Sequence, residues 1–471
     1  MTSQTLRVGR LANKPGYNAA MFRRVMVVNR GEVAVRVART CRRLGVSPWT
    51  IYSEADRDAG WLDEFDGRVC VGASRPAHSY LNQDAIVEAI VQSECQAVHP
   101  GWGFLAENAI FAARVRQLQI AWIGPKPRTM RWMGDKALAR KTVADHDLPT
   151  IPGSVGVLAH LDEAREVAER IGYPVLLKAT AGGGGRGMRI ATDAGDLECA
   201  FDEASREAAS AFGNDGLYLE KFIASGRHIE FQVLGDTWGR AVCLGERECS
   251  VQRRHQKLIE EAPSPALDPE TREAMNARVA AATAAIGYEG AGTIEFLRAD
   301  DGALYFMEMN TRLQVEHTIT EAVTGVDLVE WQMRIAAGEA LPAALGSTPS
   351  DGHAIEVRIN AEDPEQDFRP APGTVDEFFV PLDLGPGTIR VDTHLKTPAK
   401  ISPFYDSLIA KVIAHGKDRA TALETLVRCL EATQVSGLPT TIPAHLKILA
   451  SPRFIAGDYD TTLIETLGAD L

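Results

Sequence analysis

Several absences narrow the field before any motif is considered. No uninterrupted apolar run approaches the ~18 residues that a bilayer span needs, so no membrane-embedded segment is expected. Positive charge is in deficit. The formal net charge of -13 argues against a general nucleic-acid binder and favours solubility. Seven cysteines, an odd number scattered through apolar segments, fit reduced thiols in a cytoplasmic enzyme better than a disulfide framework. There is no internal repeat and no low-complexity tract. Acid is missing from the first twenty residues, where Arg7, Arg10 and Lys14 give the composition of an organelle transit peptide. A disordered extension, or a true start at Met21, accounts for that stretch with fewer assumptions. What is left is an ordinary globular composition over 471 residues, room for roughly three domains.

Residues 21–135 alternate strand and helix: strands at Val25–Val28, Trp49–Tyr52, Ala97–His99 and Ala121–Ile123, helices at Arg30–Leu44, Asp84–Gln92 and Asn108–Leu118. That rhythm predicts a parallel, doubly wound α/β sheet. The turn after the first strand, Asn29-Arg30-Gly31-Glu32, is not a GxGxxG fingerprint, so no dinucleotide site is assigned there. The turn from His99 to Phe104 follows a strand's carboxyl end, where ligands approach such sheets; a structural turn explains it equally well.

Residues 136–225 form a smaller unit. Leu161–Ile171 is an amphipathic helix with Ala164, Val167, Ala168 and Ile171 on one face. The strand Pro174–Lys178 leads into a loop with five glycines between Gly182 and Gly187. Such a loop is entropically costly to order and suits backbone N–H groups closing over an anion, with Lys178 adding a point charge; the plainer account is a floppy hairpin tip. It is no Walker A motif, having neither GK[ST] nor a following helix. Strands follow at Leu217–Ile223, His228–Leu234 and Ala241–Gly245, with Glu220 and Lys221 where strand gives way to loop, a usual place for backbone recognition of an adenine edge. The run from Gln252 to Lys257 is either a solvated basic turn or a cation cluster for a small anion. Pro269–Ile286 and Val326–Ala337 are helices, Leu341–Gly352 a linker. Beyond it come strands at Ala354–Ile359, Thr374–Val380, Gly387–Val391 and Leu408–His415, then a helix with Leu423, Leu426, Val427 and Leu430 on one face.

The most informative stretch is Gly292–His317, two strands joined at Asp300-Asp301-Gly302. Glu295 lies on the first; Glu308, Asn310 and Arg312 alternate along the second, with Met307 and Met309 on its other face. Two carboxylates, an amide and a guanidinium converging on one face suit hard cations, because Mg²⁺ takes oxygen ligands and shares them with nucleotide phosphates. A solvated hairpin face is the alternative. Arg358, between Val357 and Ile359 on a strand, points away from both, towards a polar site or solvent.

Taken in order, VNRGE, HPGWGFLAEN, IGPK and MGDK (around Lys126 and Lys136), KATAGGGGRGM, ERECSVQRRHQK, EMNTRLQVEH and EVRINAEDP resemble the biotin carboxylase family from about Val25 to Leu463. The resemblance implies an α/β (α+β overall) fold. Its parts would be a doubly wound N-terminal domain at 21–135, an ATP-grasp domain at 136–352 with a glycine-rich lid at about 150–224, and a C-terminal mixed-sheet domain at 353–471. It implies that Lys126, Lys178, Gly184, Gly185, Glu220, Lys221, Phe222, Ile223, His228 and His255 bind ATP. Glu295, Glu308 and Asn310 would hold Mg²⁺ (or Mn²⁺). Lys257, Arg312 and the backbone of Val315 would hold bicarbonate, Glu316 would deprotonate it, and Arg358 would face the biotin ureido oxygen. The expected partners are a biotin carboxyl carrier protein, carboxyltransferase subunits and a second copy of the chain.

Three departures stand out: Ala181 where many relatives have glycine, Trp102 for a common tyrosine, and Thr318 where many bacterial members have proline. Family members that carry their own biotin resemble one another in an Ala-Met-Lys-Met segment; no Met-Lys-Met occurs here, so a free-standing subunit acting on another protein's biotin is expected. The setting expected is acetyl-CoA carboxylase, with a propionyl- or methylcrotonyl-type carboxylase as the alternative. Two rivals are a non-biotin ATP-grasp ligase, which has no reason to carry QRRHQK and EVRINAE, and a silent nucleotide-binding subunit, against which the set Lys257, Glu295, Glu308, Arg312 and Glu316 is intact.

Overall fold

The computed structural model describes residues 21–180 and 187–468. The expectations for the first twenty residues, and for Ala181, Gly184 and Gly185, lie outside that range. Chain order begins with β1 (Arg24–Val27), α1 (Gly31–Arg43), β2 (Ser47–Tyr52), β3 (Gly67–Cys70), α2 (Gln83–Gln92), β4 (Ala97–His99), α3 (Ala109–Gln117) and β5 (Ala121–Trp122). These strands form a parallel sheet in the order β3-β2-β1-β4-β5, the doubly wound arrangement expected from the strand–helix alternation. β1 is central and apolar on both faces; Val25 and Val27 pack on one side with Val33, Val37 and Cys41 of α1, Met26 on the other with Ile86 and Ile90 of α2. The edge strand β3 escaped the sequence reading, because GRVC is short and half polar.

After α4 (Pro127–Gly134) and α5 (Lys136–Ala144), a small antiparallel sheet takes the order β7-β6-β8, from β6 (Val175–Ala179), β7 (Met188–Ala191) and β8 (Leu217–Lys221). It is covered by α6 (Leu161–Ile171) and α7 (Ala194–Phe212). α7 was not foreseen: its buried stripe, Leu197, Ala200, Ala204 and Ala208, is mostly alanine and gives a faint hydrophobic signal.

The largest sheet has eight strands. β9 (Arg227–Gly235), β10 (Ala241–Arg253), β11 (Gln256–Ala262), β12 (Gly290–Arg298) and β13 (Leu304–Asn310) come from the middle of the chain, with α8 (Pro269–Ile286) packed on them. After α9 (His317–Thr324) and α10 (Leu328–Ala336), the sheet is extended by β14 (His353–Asn360), β15 (Thr388–Thr393) and β16 (Leu408–Gly416), and α11 (Arg419–Ala432) covers it. The order is β13-β12-β9-β10-β11-β14-β16-β15, and every pairing is antiparallel. The C-terminal strands therefore do not build a mixed sheet of their own. They continue the central one through β11–β14, where Ile259 pairs with Val357 and Glu260 with Glu356.

Two local expectations are corrected. Thr374–Val380 is not one strand but two, Gly373–Val375 and Glu377–Phe379, which turn to pair with Ala399–Ile401 and Gln434–Ser436. In the β12–β13 hairpin the register steps from Glu295–Glu308 to Phe296–Phe306, so Met307 is an extra residue, 42% exposed rather than buried beside Met309. No helix among the described residues is long and apolar enough to cross a membrane.

Candidate functional site

Strand register builds the site. Glu308 on β13 is paired with Glu295 on β12, Glu295 with Glu230 on β9, and Glu230 with Arg247 on β10. Directly paired residues share a face, so three carboxylates run in a row across the sheet, an arrangement that repels itself unless cations intervene. Arg247 supplies one end. It is wholly buried, and its guanidinium donates to Glu230 at 2.5 Å and to Gln232, Thr320, Thr293 and Gln314 at 2.7–3.1 Å. Lys257, at the start of β11, reaches over the middle: its ammonium is 2.6 Å from Glu230, 3.3 Å from Glu295 and 2.6 Å from Glu316.

Glu316 is the residue on which these contacts converge. It lies just ahead of α9 and is 2% exposed. One carboxylate oxygen accepts from Lys257, the other from Arg358 at 2.8 Å. Arg358 in turn donates to Glu260 at 2.6 Å, and β14 presents it to the polar side, as the alternation predicted. Burial alone would raise the Glu316 carboxyl; the Lys257, Arg358 and Arg247 cations outweigh it and hold it well below the usual carboxylate range. Glu295 is likewise held low, with burial outweighed by Lys257 and His228. His228, whose ring nitrogen is 3.0 Å from Glu295, is pulled down by burial but raised on balance by that carboxylate.

The Glu308 end differs. Burial, and then the Glu295 charge, raise the Glu308 carboxyl, and no described residue gives it a hydrogen bond or ion pair. Asn310 donates to Glu295 at 2.6 Å and accepts from Arg312 at 2.9 Å. His228, Glu230 and Glu295 also place one potential ligand atom each within 4.8 Å of one another. There, however, Lys257 and Arg247 already neutralise the charge. The donor set at Glu295, Glu308 and Asn310 is all oxygen or amide and short of one cation, which fits a hard divalent ion.

Beside Glu308 opens a cavity of about 630 Å³, lined by Leu176, Tyr218, Phe222, Ile223, Leu297 and Phe306 with Lys136, Lys178, Glu220 and Lys221 at its polar points. Mostly apolar walls with a few placed charges and this size suit a small-molecule ligand. Lys178 pairs with Glu220 at 2.5 Å, and Arg140 with the other Glu220 oxygen at 3.1 Å. The Lys221 ammonium is tied to the carbonyls of Gly172 and Tyr173. A smaller hollow of about 210 Å³, sharing Lys136, Met307 and Glu308, continues to Glu107, Asn310 and Thr311.

The structure thus gathers Lys178, Glu220, Lys221, Phe222, Ile223 and Glu308 around the cavity, and Lys257, Glu295, Asn310, Glu316, Arg358 and His228 on the adjoining sheet face. Lys126 stands at the N-cap position of α4, outside the lining of this cavity, and pairs with Glu289 at 2.6 Å, while Lys136 of the MGDK string lines it. One placement is corrected. Arg312 is not on β13, which ends at Asn310; its side chain is held by Glu107 at 2.9 Å and by Asn310, and no described hydrogen bond or ion pair joins it to Glu316. His255 sits exposed at the β10–β11 turn with φ 66°. Sequence reasoning gave no role to Lys136, Glu107, Glu230 or Arg247. Arg247 and Glu230 are recognisable only once the register sets them opposite each other.

Comparison with known proteins follows the same lines. Residues 21–130 match the model for the biotin carboxylase N-terminal domain, 135–344 that for the carbamoyl-phosphate synthase L chain ATP-binding domain, and 356–466 that for the biotin carboxylase C-terminal domain. A biotin carboxylase from a Nostoc species is 49% identical, over 95% of this chain and 99% of that protein. Among solved structures, a biotin carboxylase complex from Campylobacter jejuni superposes with a TM-score of 0.89 at 43% identity, covering 96% of this chain and 100% of that one. The biotin carboxylase domain dimer of Hydrogenobacter thermophilus 2-oxoglutarate carboxylase, in complex with MgADP, ADP and bicarbonate, gives 0.88 at 45%, covering 95% and 98%.

Proposed function

The chain belongs to the biotin carboxylase family, and from that premise we propose that it uses ATP and bicarbonate to carboxylate biotin carried on a partner protein. The observation that supports this most is the grip on Glu316, one carboxylate oxygen on Lys257 and the other on Arg358, at the edge of a row of acids that ends at the cavity.

In this reading the nucleotide occupies the 630 Å³ cavity, with its base against Tyr218, Phe222 and Ile223 and its phosphates towards Lys136 and Lys178. Glu295, Glu308 and Asn310 would hold Mg²⁺ or Mn²⁺, which would supply charge neutralisation for the phosphates. Bicarbonate lies over Lys257, Arg312 and the Val315 backbone. Its negative charge, brought beside Lys257, offsets part of the field that holds Glu316 low, so binding itself raises the basicity of Glu316. Glu316 takes the bicarbonate proton, and the oxygen attacks the γ-phosphoryl group to give carboxyphosphate and ADP. Catalysis of such a transfer is mainly positioning and charge stabilisation, which the paired cations provide. Carboxyphosphate then breaks to CO₂ and phosphate, phosphate accepts the proton of biotin N1′, and Arg358 stabilises the ureido oxygen as its charge develops. Removing one such donor typically costs ~10²–10³ in rate.

We further propose a homodimer, a cytoplasmic setting, carboxyltransferase partners and acetyl-CoA as final acceptor. The last rests only on resemblance to separately encoded subunits, and the 2-oxoglutarate relative names a keto acid instead. The test is ADP release from MgATP and bicarbonate, with and without free biotin, for the wild type and Glu316→Gln. Biotin-stimulated turnover that Glu316→Gln loses supports the reading. Absence of turnover with both free biotin and a biotinylated carrier overturns it.

A further inference from the structure

Lys411 on β16 is completely buried. Its ammonium donates to the carbonyl of Val315 at 2.7 Å and lies 3.2 Å from a carboxylate oxygen of Glu32. Three distant stretches meet there: β16, the first turn of α1, and the loop that leads into α9. Burying an ammonium requires a counter-charge. Glu32 provides it, yet neither Glu32 oxygen accepts a well-aligned hydrogen bond. The directional bond goes to Val315. That carbonyl belongs to the peptide joining Val315 to Glu316, so fixing its plane fixes the direction in which Glu316 leaves the backbone. Glu316 stands at the N-cap of α9 without a side-chain cap bond; the loop is otherwise closed through the carbonyl of Gln314, to which the His317 ring and N–H are bonded at 2.7 and 3.4 Å.

We propose that Lys411 is a positioning residue for bicarbonate. It touches no substrate, and acts by orienting the Val315–Glu316 peptide, and with it both the backbone that receives the anion and the base that deprotonates it. This rests on the reading that bicarbonate lies over residues 312–316.

The experiment separates KM for bicarbonate from KM for ATP in biotin-dependent ADP release. Bicarbonate dependence of the wild type and its loss in Glu316→Gln check the underlying reading by themselves. The variants are Glu32→Gln, Lys411→Met and the pair Lys411→Met/Glu32→Gln, which leaves no unmatched buried charge. The double variant is expected to raise KM for bicarbonate about tenfold with KM for ATP within about twofold, whereas Glu32→Gln alone, which keeps the N–H donor but removes its counter-charge, raises the bicarbonate KM less than the double variant. Should the double variant not fold, Lys411→Met/Glu32→Leu, an apolar pair that likewise lacks the N–H donor, is expected to raise only the bicarbonate KM. An unchanged bicarbonate KM, a parallel rise in both constants, or an equal rise in Glu32→Gln would each overturn the proposal.

Discussion

At the Glu316 end of the site, side-chain exposures are 0% for Arg247 and Glu230, 3% for Glu316 and 12% for Lys257, and each of these charges has a partner at 2.8 Å or less. At the cavity end, Lys178 is 24% exposed and pairs among the described residues with Glu220, while Lys136 is exposed. The first end is arranged before any ligand arrives, with its charges held by one another and by strand register. The second offers apolar walls and a few reachable cations. A small anion such as bicarbonate has little surface to recognise and needs a fixed field; a nucleotide brings enough surface and charge to be held by shape and a few contacts.

The contrast can be broken most severely at Arg247. Arg247→Met leaves Glu230 without its buried guanidinium and should destabilise the fold by ~3–5 kcal/mol, with much of it restored in Arg247→Met/Glu230→Gln. Thermal or urea unfolding of both variants measures this, and a loss under ~1 kcal/mol would mean that the network is less closed than described. At the other end, Lys178→Met should leave stability nearly unchanged and raise KM for ATP about tenfold, ~1.4 kcal/mol of binding. A sharper comparison is Lys136→Met against Lys126→Met: the first should raise KM for ATP several-fold and the second less than about twofold, since only Lys136 faces the cavity. Equal effects would support Lys126 as an ATP ligand.

The smallest effect concerns pH. Glu356 is buried opposite Glu260, and burial raises its carboxyl to about 8, with Lys411 working against the rise. The folded state keeps a proton that the unfolded chain releases near 4.5. That contribution to stability is full below about 4.5, declines as pH rises, and is gone above about 8. Melting temperature should therefore fall between pH 6 and pH 9, and fall less in Glu356→Gln. An equal slope in the two proteins would assign the pH dependence elsewhere.

What could be read from residues alone follows the same division. The helices Leu161–Ile171 and Pro269–Ile286 were placed to the residue, because apolar periodicity, Pro269 and the glycines that follow both helices are local signals. The hairpin turn at Asp300–Gly302 and the outward face of Arg358 followed from turn chemistry and period-two alternation. Glu230 and Arg247 were not legible, since their meaning lies in which strand stands beside which, a long-range fact without local signature. The Met307 bulge shifted the alternation by one residue and misassigned that side chain. Lys126 and Lys136 sit in adjacent lysine-bearing strings, and only the path of α4 between them shows which one turns inward.

The continuous sheet also limits how the gene can be recombined. Because β11 and β14 are hydrogen-bonded neighbours, with Lys257 on one and Arg358 on the other, a crossover at the 341–352 connection would split a single hydrogen-bonded seam between two parents. A chimera joined there inherits a working pair of cations only if both parents keep the Ile259–Val357 alignment; a slip of one residue would turn Arg358 to the opposite face. Exchanges between relatives are better cut outside β9–β16, with that sheet inherited whole.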